Sequence, residues 1–256
     1  MRFASLGSGS RGNATLVEHR STCLLIDCGF SVRELTRRLA RLQRDASQLS
    51  AIVVTHEHGD HIRGVAACAR QFGLPVWMTP GTLCAVTDQA FGDLPDIRLF
   101  SCHEPFAVGD LEVQPFPVPH DAREPSQFVV SDGNYRLGVL TDTGCATRHI
   151  EASLSGCHAL ILECNHDRDM LAHGDYPDAL KQRVGGPLGH LDNESAAALL
   201  ARLDTSRLQH LVAAHLSEKN NTPYLARSCL SAAVGCLDSW VQVADQDDGL
   251  PWRDLR

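Results

Sequence analysis

The sequence predicts an α/β protein: two mixed β-sheets packed face to face, with helices on the outside. Three observations carry this. Short apolar β-type runs occur in both halves of the chain. Each set of runs is followed by helix-type patterns, as a layered sandwich requires. No linker, repeat or low-complexity tract separates the halves, so residues 1–244 read as one domain. With 256 residues, 43% hydrophobic and 21% charged, the chain can bury a sizeable core without staples, which excludes disordered, collagen-like and coiled-coil classes.

The elements follow in order. Residues 2–6, 14–18 and 23–27 read as strands, the last ending in LLIDCG, an apolar run closed by an acid and a Gly turn. Ser31 can cap a helix to about residue 44, with Leu35, Leu39 and Leu42 on one side. A short apolar strand at 51–55 precedes a helix at 61–72 closed by Gly73; a strand at 74–78 and a helix at 80–89 follow. Strands are expected at 97–101, 105–108, 111–116, 127–130 and 135–140, with SDGN at 131–134 as a hairpin turn. Beyond Thr147, strands at 159–163, 210–214 and 241–244 alternate with helices at 176–184, 193–202 and 222–234. Residues 245–256 are polar and contain Pro, and are expected to be a loose tail.

Composition narrows the function. The net charge is −8, so long-range attraction of nucleic acid is absent and such a role needs a local basic patch. No run of ~20 apolar residues and no N-terminal leader pattern is visible, which points to a cytoplasmic protein without a membrane role. The 10 Cys form no CxxC pair and read as reduced, mostly buried thiols. The 13 His outnumber the 8 Phe and call for a chemical explanation.

That explanation lies in Thr55-His56-Glu57-His58-Gly59-Asp60-His61, directly after the apolar strand. Residues i and i+2 of an extended segment face one side, so His56 and His58 can aim two imidazoles at one point. Gly59 permits a sharp turn, and Asp60 and His61 open the next helix. Three His and one Asp within six residues suit two adjacent divalent ions; Zn or Mn fits this donor set, and Fe is compatible.

With these residues the sequence resembles the metallo-β-lactamase-fold hydrolases, whose five motifs appear in order: Asp27 in LLIDCG; His56, His58, Asp60 and His61; His120 in FPVPHDA; Asp142 in LGVLTDTG; and His215 in HLVAAHLSEKNN. The resemblance implies a four-layer αββα sandwich. It also implies one metal on His56, His58 and His120, a second on Asp60, His61 and His215, and Asp142 bridging them. Asp27 would orient a ligand His by a hydrogen bond. Asp121, beside His120, is a candidate for a similar supporting place.

Further segments narrow the resemblance. SLGSGSRGN, His120-Asp121-Ala122, Glu163-Cys164-Asn165-His166-Asp167, Gly189-His190-Leu191-Asp192-Asn193 and the residues after His215 look like the YycJ/WalJ subfamily. That likeness implies DNA phosphodiester cleavage with 5′-to-3′ exonuclease action. The order Glu163, His190, His215 also resembles the ribonuclease Z group, which implies that His190 binds a phosphate oxygen or protonates the leaving oxygen. One departure is Asp192 in GHLDN, where the subfamily pattern has Ser; it adds negative charge near the expected phosphate site. A hydroxide shared by two metals would be the nucleophile. Asp60 and His190 are then the candidate catalytic residues.

Arg11, Arg63, His166 and Asn193 are candidate substrate contacts, and Arg33, Arg37, Arg38, Arg41 and Arg44 form a basic stripe that reads either as a phosphate-contacting face or as a solvated one. Two alternatives stand beside the nuclease: a small-molecule ester hydrolase on the same fold (cyclic phosphodiester, lactone or thioester), and a non-catalytic metal sensor. A long polyanion calls for an open groove, a small ester for a pocket covered by a helical lid.

Overall fold

A computed structural model describes residues 1–86, 91, 94 and 96–256. The first sheet contains β1 (Arg2–Gly7), β2 (Ala14–His19), β3 (Thr22–Ile26), β4 (Ala51–Val53), β5 (Val76–Met78) and β6 (Ile97–Leu99), side by side in chain order. The second contains β7 (Phe106–Val108), β8 (Leu111–Pro117), β9 (Ser126–Ser131), β10 (Arg136–Leu140), β11 (Ala159–Glu163), β12 (His210–Ala214) and β13 (Gln242–Val243), likewise in order. A last strand, β14 (Leu250–Asp254), returns to the first sheet and pairs antiparallel with β1.

The alternation of side chains produces four layers. Leu24, Ile26 and Val53 point between the sheets, where they share one core with Val113, Phe128, Val139 and Ile161. Their neighbours Leu25 and Ile52 point outward and pack under helices Val32–Arg41 and Val65–Phe72. On the far side Leu160 and Leu162 pack under helices Arg148–Leu154, Asn193–Leu200 and Pro223–Val234. Apolar residues on both faces explain why β3, β4, β11 and β12 read as continuous apolar runs. The αββα sandwich expected from the sequence is the fold.

Local signals set the helix ends. Ser31, Thr147, Asp192 and Thr222 each accept a backbone N–H of the first turn. The helix expected at 61–72 is two helices, Gly59–Ile62 and Val65–Phe72. The break at Gly64 lets the chain press against Phe30, whose carbonyl oxygen would lie 1.8 Å from a Cβ at that position. A helix Arg168–His173, not expected, precedes Asp178–Val184. The helix expected at 80–89 runs over Pro80–Ala85; residues 87–89 lie outside the described residues.

One expectation is corrected. The segment 245–256 is not loose: Leu250 and Leu255 are buried, and Trp252 donates to Leu42 O at 3.1 Å and stacks under Arg2. Pro251 is tolerated because β14 lies at a sheet edge. The basic stripe is largely neutralised by pairing, Arg37 and Arg38 on Glu34, Arg41 on Asp248 and Arg44 on Glu18. Arg38 is buried and donates to Leu6 O and Gln246 O, so it ties the fold rather than facing a ligand. All ten Cys are free thiols, six of them buried. Among the described residues no helix is long and apolar enough to cross a membrane.

Candidate metal centre

Parallel pairing of β3 with β4, and of β10, β11 and β12, brings their C-terminal ends to the same edge of the sandwich. Each of these strands then delivers polar residues: Asp27, the Thr55–His61 loop, Asp142, Glu163 and His215. Open α/β sheets place ligands at this edge. Asp27 and His215 hold left-handed φ angles of 60° and 54°, unusual for non-glycine residues and costing about 1 kcal/mol or more each. Their neighbours hold them there. Asp27 accepts from Thr55 N at 2.8 Å and Thr55 Oγ1 at 2.9 Å, and His215 N donates to Ser8 Oγ at 2.9 Å.

The hydrogen bonds of each imidazole show which nitrogen remains for a ligand. His61 Nδ1 donates to Asp27 Oδ2 at 2.8 Å, and His120 Nδ1 to Gly189 O at 3.0 Å, so Nε2 of both faces the centre. His58 is reversed: Nε2 donates to Asp121 O at 3.2 Å, and Nδ1 stands 3.2 Å from His120 Nε2. His56 Nδ1 lies 2.9 Å from Thr55 Oγ1, while its Nε2 is buried without a partner. Asp142 Oδ2 is also buried and unpartnered, although it stands 3.1 Å from His61 Nε2. Two acceptor-capable atoms this close without hydrogen-bond geometry are the arrangement a shared cation requires.

Among the described residues, donor atoms within 4.8 Å of one another form four overlapping groups: His56, His58 and His120; Asp60, His61 and His215; His56, His61 and Asp142; and Asp142, Glu163, His190 and His215. The residues present therefore fit divalent metal, with Asp142 common to two groups. The field has the matching sign. Burial disfavours charge throughout, yet nearby imidazoles hold Asp60 and Asp142 well below the usual carboxylate range. Burial likewise opposes protonation of His61 and His215, but Asp142 and Asp60 outweigh it, raising His61 and pushing His215 up to about 10. His56 is pushed well below the ordinary imidazole value by burial and by the His61 charge, which outweigh the pull of Asp142.

Sequence reasoning assigned no role to Glu163. It is fully buried and accepts from Thr143 N and Leu191 N at 2.9 and 3.2 Å. Its other oxygen takes His190 Nδ1 at 2.7 Å and stands 3.3 Å from His215 Nδ1. Burial would lower the His190 pKa, but the Glu163 charge and hydrogen bond raise it. The signal was available: like Asp27, Glu163 is an acid closing a fully apolar strand. Asn13 was also missed; its Nδ2 donates to Asp60 Oδ2 at 3.1 Å and stands 3.1 Å from His61 Nε2.

A cavity of about 360 Å³ opens onto this cluster. One side is His58, Asp60, Asp142, His190 and His215; the other is Tyr176, Leu180, Arg183 and Val184 from the helical segment, and Asp121 lies at the rim. The expected substrate contacts lie elsewhere. Arg11 is held by Glu218 and Asp247 at 2.6 and 2.7 Å and does not line the cavity. Arg63 follows helix Gly59–Ile62, also outside the lining. His166 is buried beside a second hollow with Arg168 and Asp192. Asn193 is fully buried and exchanges side-chain hydrogen bonds with Asn221 at 3.0 and 2.9 Å, a structural clasp.

Comparison with known proteins agrees with this architecture. Residues 22–215 match the model of the beta-lactamase superfamily domain. The chain is 36% identical over 236 residues to exodeoxyribonuclease YycJ of Bacillus anthracis, covering 91% of this chain and 89% of that protein. It is 34% identical over 247 residues to exodeoxyribonuclease WalJ of Streptococcus pneumoniae, covering 94% and 91%. Among solved structures, the metallo-beta-lactamase fold protein YhfI from Bacillus subtilis superposes with a TM-score of 0.75 at 16% identity, covering 99% of each chain. The short form of human tRNase Z superposes with a TM-score of 0.69 at 17% identity over the whole of both chains. The chain thus belongs to the beta-lactamase superfamily, as a metal-dependent hydrolase.

Proposed function

We propose that this protein is a phosphodiesterase acting on nucleic acid, a 5′-to-3′ DNA exonuclease that works with two divalent ions. The observation that carries the reading is the likeness, over about nine-tenths of each chain, to two proteins named exodeoxyribonuclease. His56, His58 and His120 would hold one ion, Asp60, His61 and His215 the other, with Asp142 between them. Bound there, divalent ions lower the pKa of water and polarise a phosphoryl oxygen.

The remaining work falls to the chain. Asp27, Gly189 O, Asp121 O and Thr55 fix the imidazole orientations through the hydrogen bonds described above. Asp60, kept ionised and steadied by Asn13, supplies a carboxylate beside the cavity. His190 is the general acid. Glu163 holds its Nδ1–H and favours the imidazolium, leaving Nε2–H for the departing oxygen in a group that lines the cavity.

The test uses metal-stripped protein with Zn or Mn restored, acting on 5′-labelled single-stranded DNA, bis(p-nitrophenyl) phosphate and a lactone panel. Metal-dependent, stepwise cleavage from the 5′ end, lost in His58→Ala and reduced in His190→Ala, is expected. The second reading, a small-ester hydrolase, is favoured by the helical segment that covers one side of the cavity. Turnover of only the small diester or a lactone would establish it instead.

A further inference from the structure

The helical side of the cavity takes no part in the chemistry above, yet its composition is specific. Tyr176 offers an aromatic ring and Arg183 a cation, the one Lys or Arg lining the cavity among the described residues of a chain with net charge −8. Arg183 Nε donates to Asp121 Oδ2 at 2.6 Å, and Asp121 Oδ1 stands 3.6 Å from His58 Nε2. The guanidinium is thereby steered to the rim. Its terminal nitrogens have no partner among the described residues, and the side chain is 60% exposed. Lys219 Nζ lies 5.7 Å from the Tyr176 ring centroid, a second cation beside the same ring.

This side is also held in register with the imidazoles. His190 N donates to Val184 O at 2.8 Å, and Gly189 O accepts from His120 Nδ1. Gly189 packs so closely that a Cβ would fall 2.2 Å from Arg183 O. A ligand resting on Tyr176 and Arg183 is therefore placed at a defined distance from the reacting end of the cavity.

An aromatic face next to cations that keep free N–H groups is how proteins hold an unstacked nucleotide: the ring takes the base and the cation the phosphate. Resting on the nuclease reading, we propose that Tyr176 and Arg183 form the subsite for the nucleotide next to the scissile bond. Tyr176 stacks on its base, and Arg183 binds the neighbouring phosphate that is not cleaved. The substrate class narrows accordingly to a strand end whose last base is free of its neighbour, in a single strand or at a frayed duplex end.

The test is a pair of coupling cycles. Oligodeoxynucleotides carry either the normal residue, an abasic residue at the position next to the cut, or a methylphosphonate in place of the neighbouring phosphate. Tyr176→Ala raises KM roughly 5- to 150-fold on the normal strand and has no further effect on the abasic one; Tyr176→Phe behaves as the parent. Arg183→Gln raises KM about tenfold on the normal strand and not on the methylphosphonate, and Arg183→Lys recovers part of the loss. kcat changes by less than about twofold, because the contacts proposed are to the nucleotide that is not cleaved. Anisotropy of the same strands on metal-stripped protein gives the same ordering of Kd. Equal effects on normal and modified strands, or no effect at all while the parent cleaves DNA, overturn the subsite alone. A parent that hydrolyses bis(p-nitrophenyl) phosphate but no oligonucleotide overturns the nuclease reading and the subsite with it.

Discussion

The two sides of the cavity are built on opposite terms. On the strand-end side, His56, His61, His120, His215 and Asp142 are buried, imidazole tautomers are set by a neighbour, and two residues sit in rare backbone conformations. On the helical side, Tyr176 is half-buried, Arg183 is mostly exposed, and polar partners are few. Chemistry that needs atoms held within tenths of an ångström sits where the sheets leave no freedom; contacts that must admit and release a substrate sit where solvent reaches.

The comparison breaks first at the ligands. His58→Ala is expected to abolish metal-dependent hydrolysis. Chelation of the parent should lower Tm, with recovery on adding metal back, because ions bind the folded strand-end side and not the unfolded chain. Calorimetry that shows no shift on chelation would mean that the strand-end side is stable without ions and that its strain serves something else. Tyr176→Ala, on the other side, should leave the metal-dependent rise in Tm intact.

Next comes Glu163→Gln. Glu163 positions the His190 acid, so kcat should fall by up to the roughly 10²- to 10⁴-fold that such an acid contributes. The pH profile carries more information. Burial lowers the His190 pKa and Glu163 raises it, and an acid must be protonated to act, so activity falls as pH rises through that pKa. Removing the carboxylate charge lowers the pKa, so the alkaline limb of kcat should move to lower pH. An unmoved limb would assign it to another group.

Asp27→Asn is a smaller change in the same direction. It weakens the bond that fixes His61 and should reduce metal affinity about 10- to 100-fold, read by competition with a chelator. Smaller again is Leu250→Ala, expected to cost about 2 kcal/mol in denaturant unfolding because Leu250 is buried between β1 and the shared core. A cost near zero would return β14 to the status of a loose tail.

These cases also show what could be read in the sequence. His56, His58, Asp60 and His61 were legible because strand period and turn chemistry place contiguous residues. Asp27, Asp142 and His215 were legible as polar residues closing apolar strands, and by that rule Glu163 was as well. Arg11 was misplaced because its partners, Glu218 and Asp247, are more than 200 positions away. β14 was missed for the same reason: its pairing strand is at the other end of the chain, and local composition says only "polar, with Pro". Arg183 carried no signal, since one cation in a short amphipathic stretch reads as a solvated face.

The smallest expected effect is the sharpest probe of where the phosphate path ends. Asp192, the departure from the subfamily pattern, was expected to set a negative charge near the phosphate site. It instead caps helix Asn193–Leu200 by accepting from Ser195 N at 2.8 Å, and it pairs with Arg168 at 3.0 Å beside the second hollow, outside the lining of the main cavity. Ser caps as well as Asp, and the Arg168 side chain is 59% exposed, so the ion pair contributes no more than about 1 kcal/mol. Asp192→Ser should therefore leave stability within about 1 kcal/mol and KM for DNA within about twofold. A KM that falls tenfold, with bis(p-nitrophenyl) phosphate unaffected, would mean that a strand runs past Asp192. The second hollow, with His166 and Arg168 on its wall, would then belong to the nucleic-acid path, and the helical side would be a ridge the strand crosses rather than the end of the site.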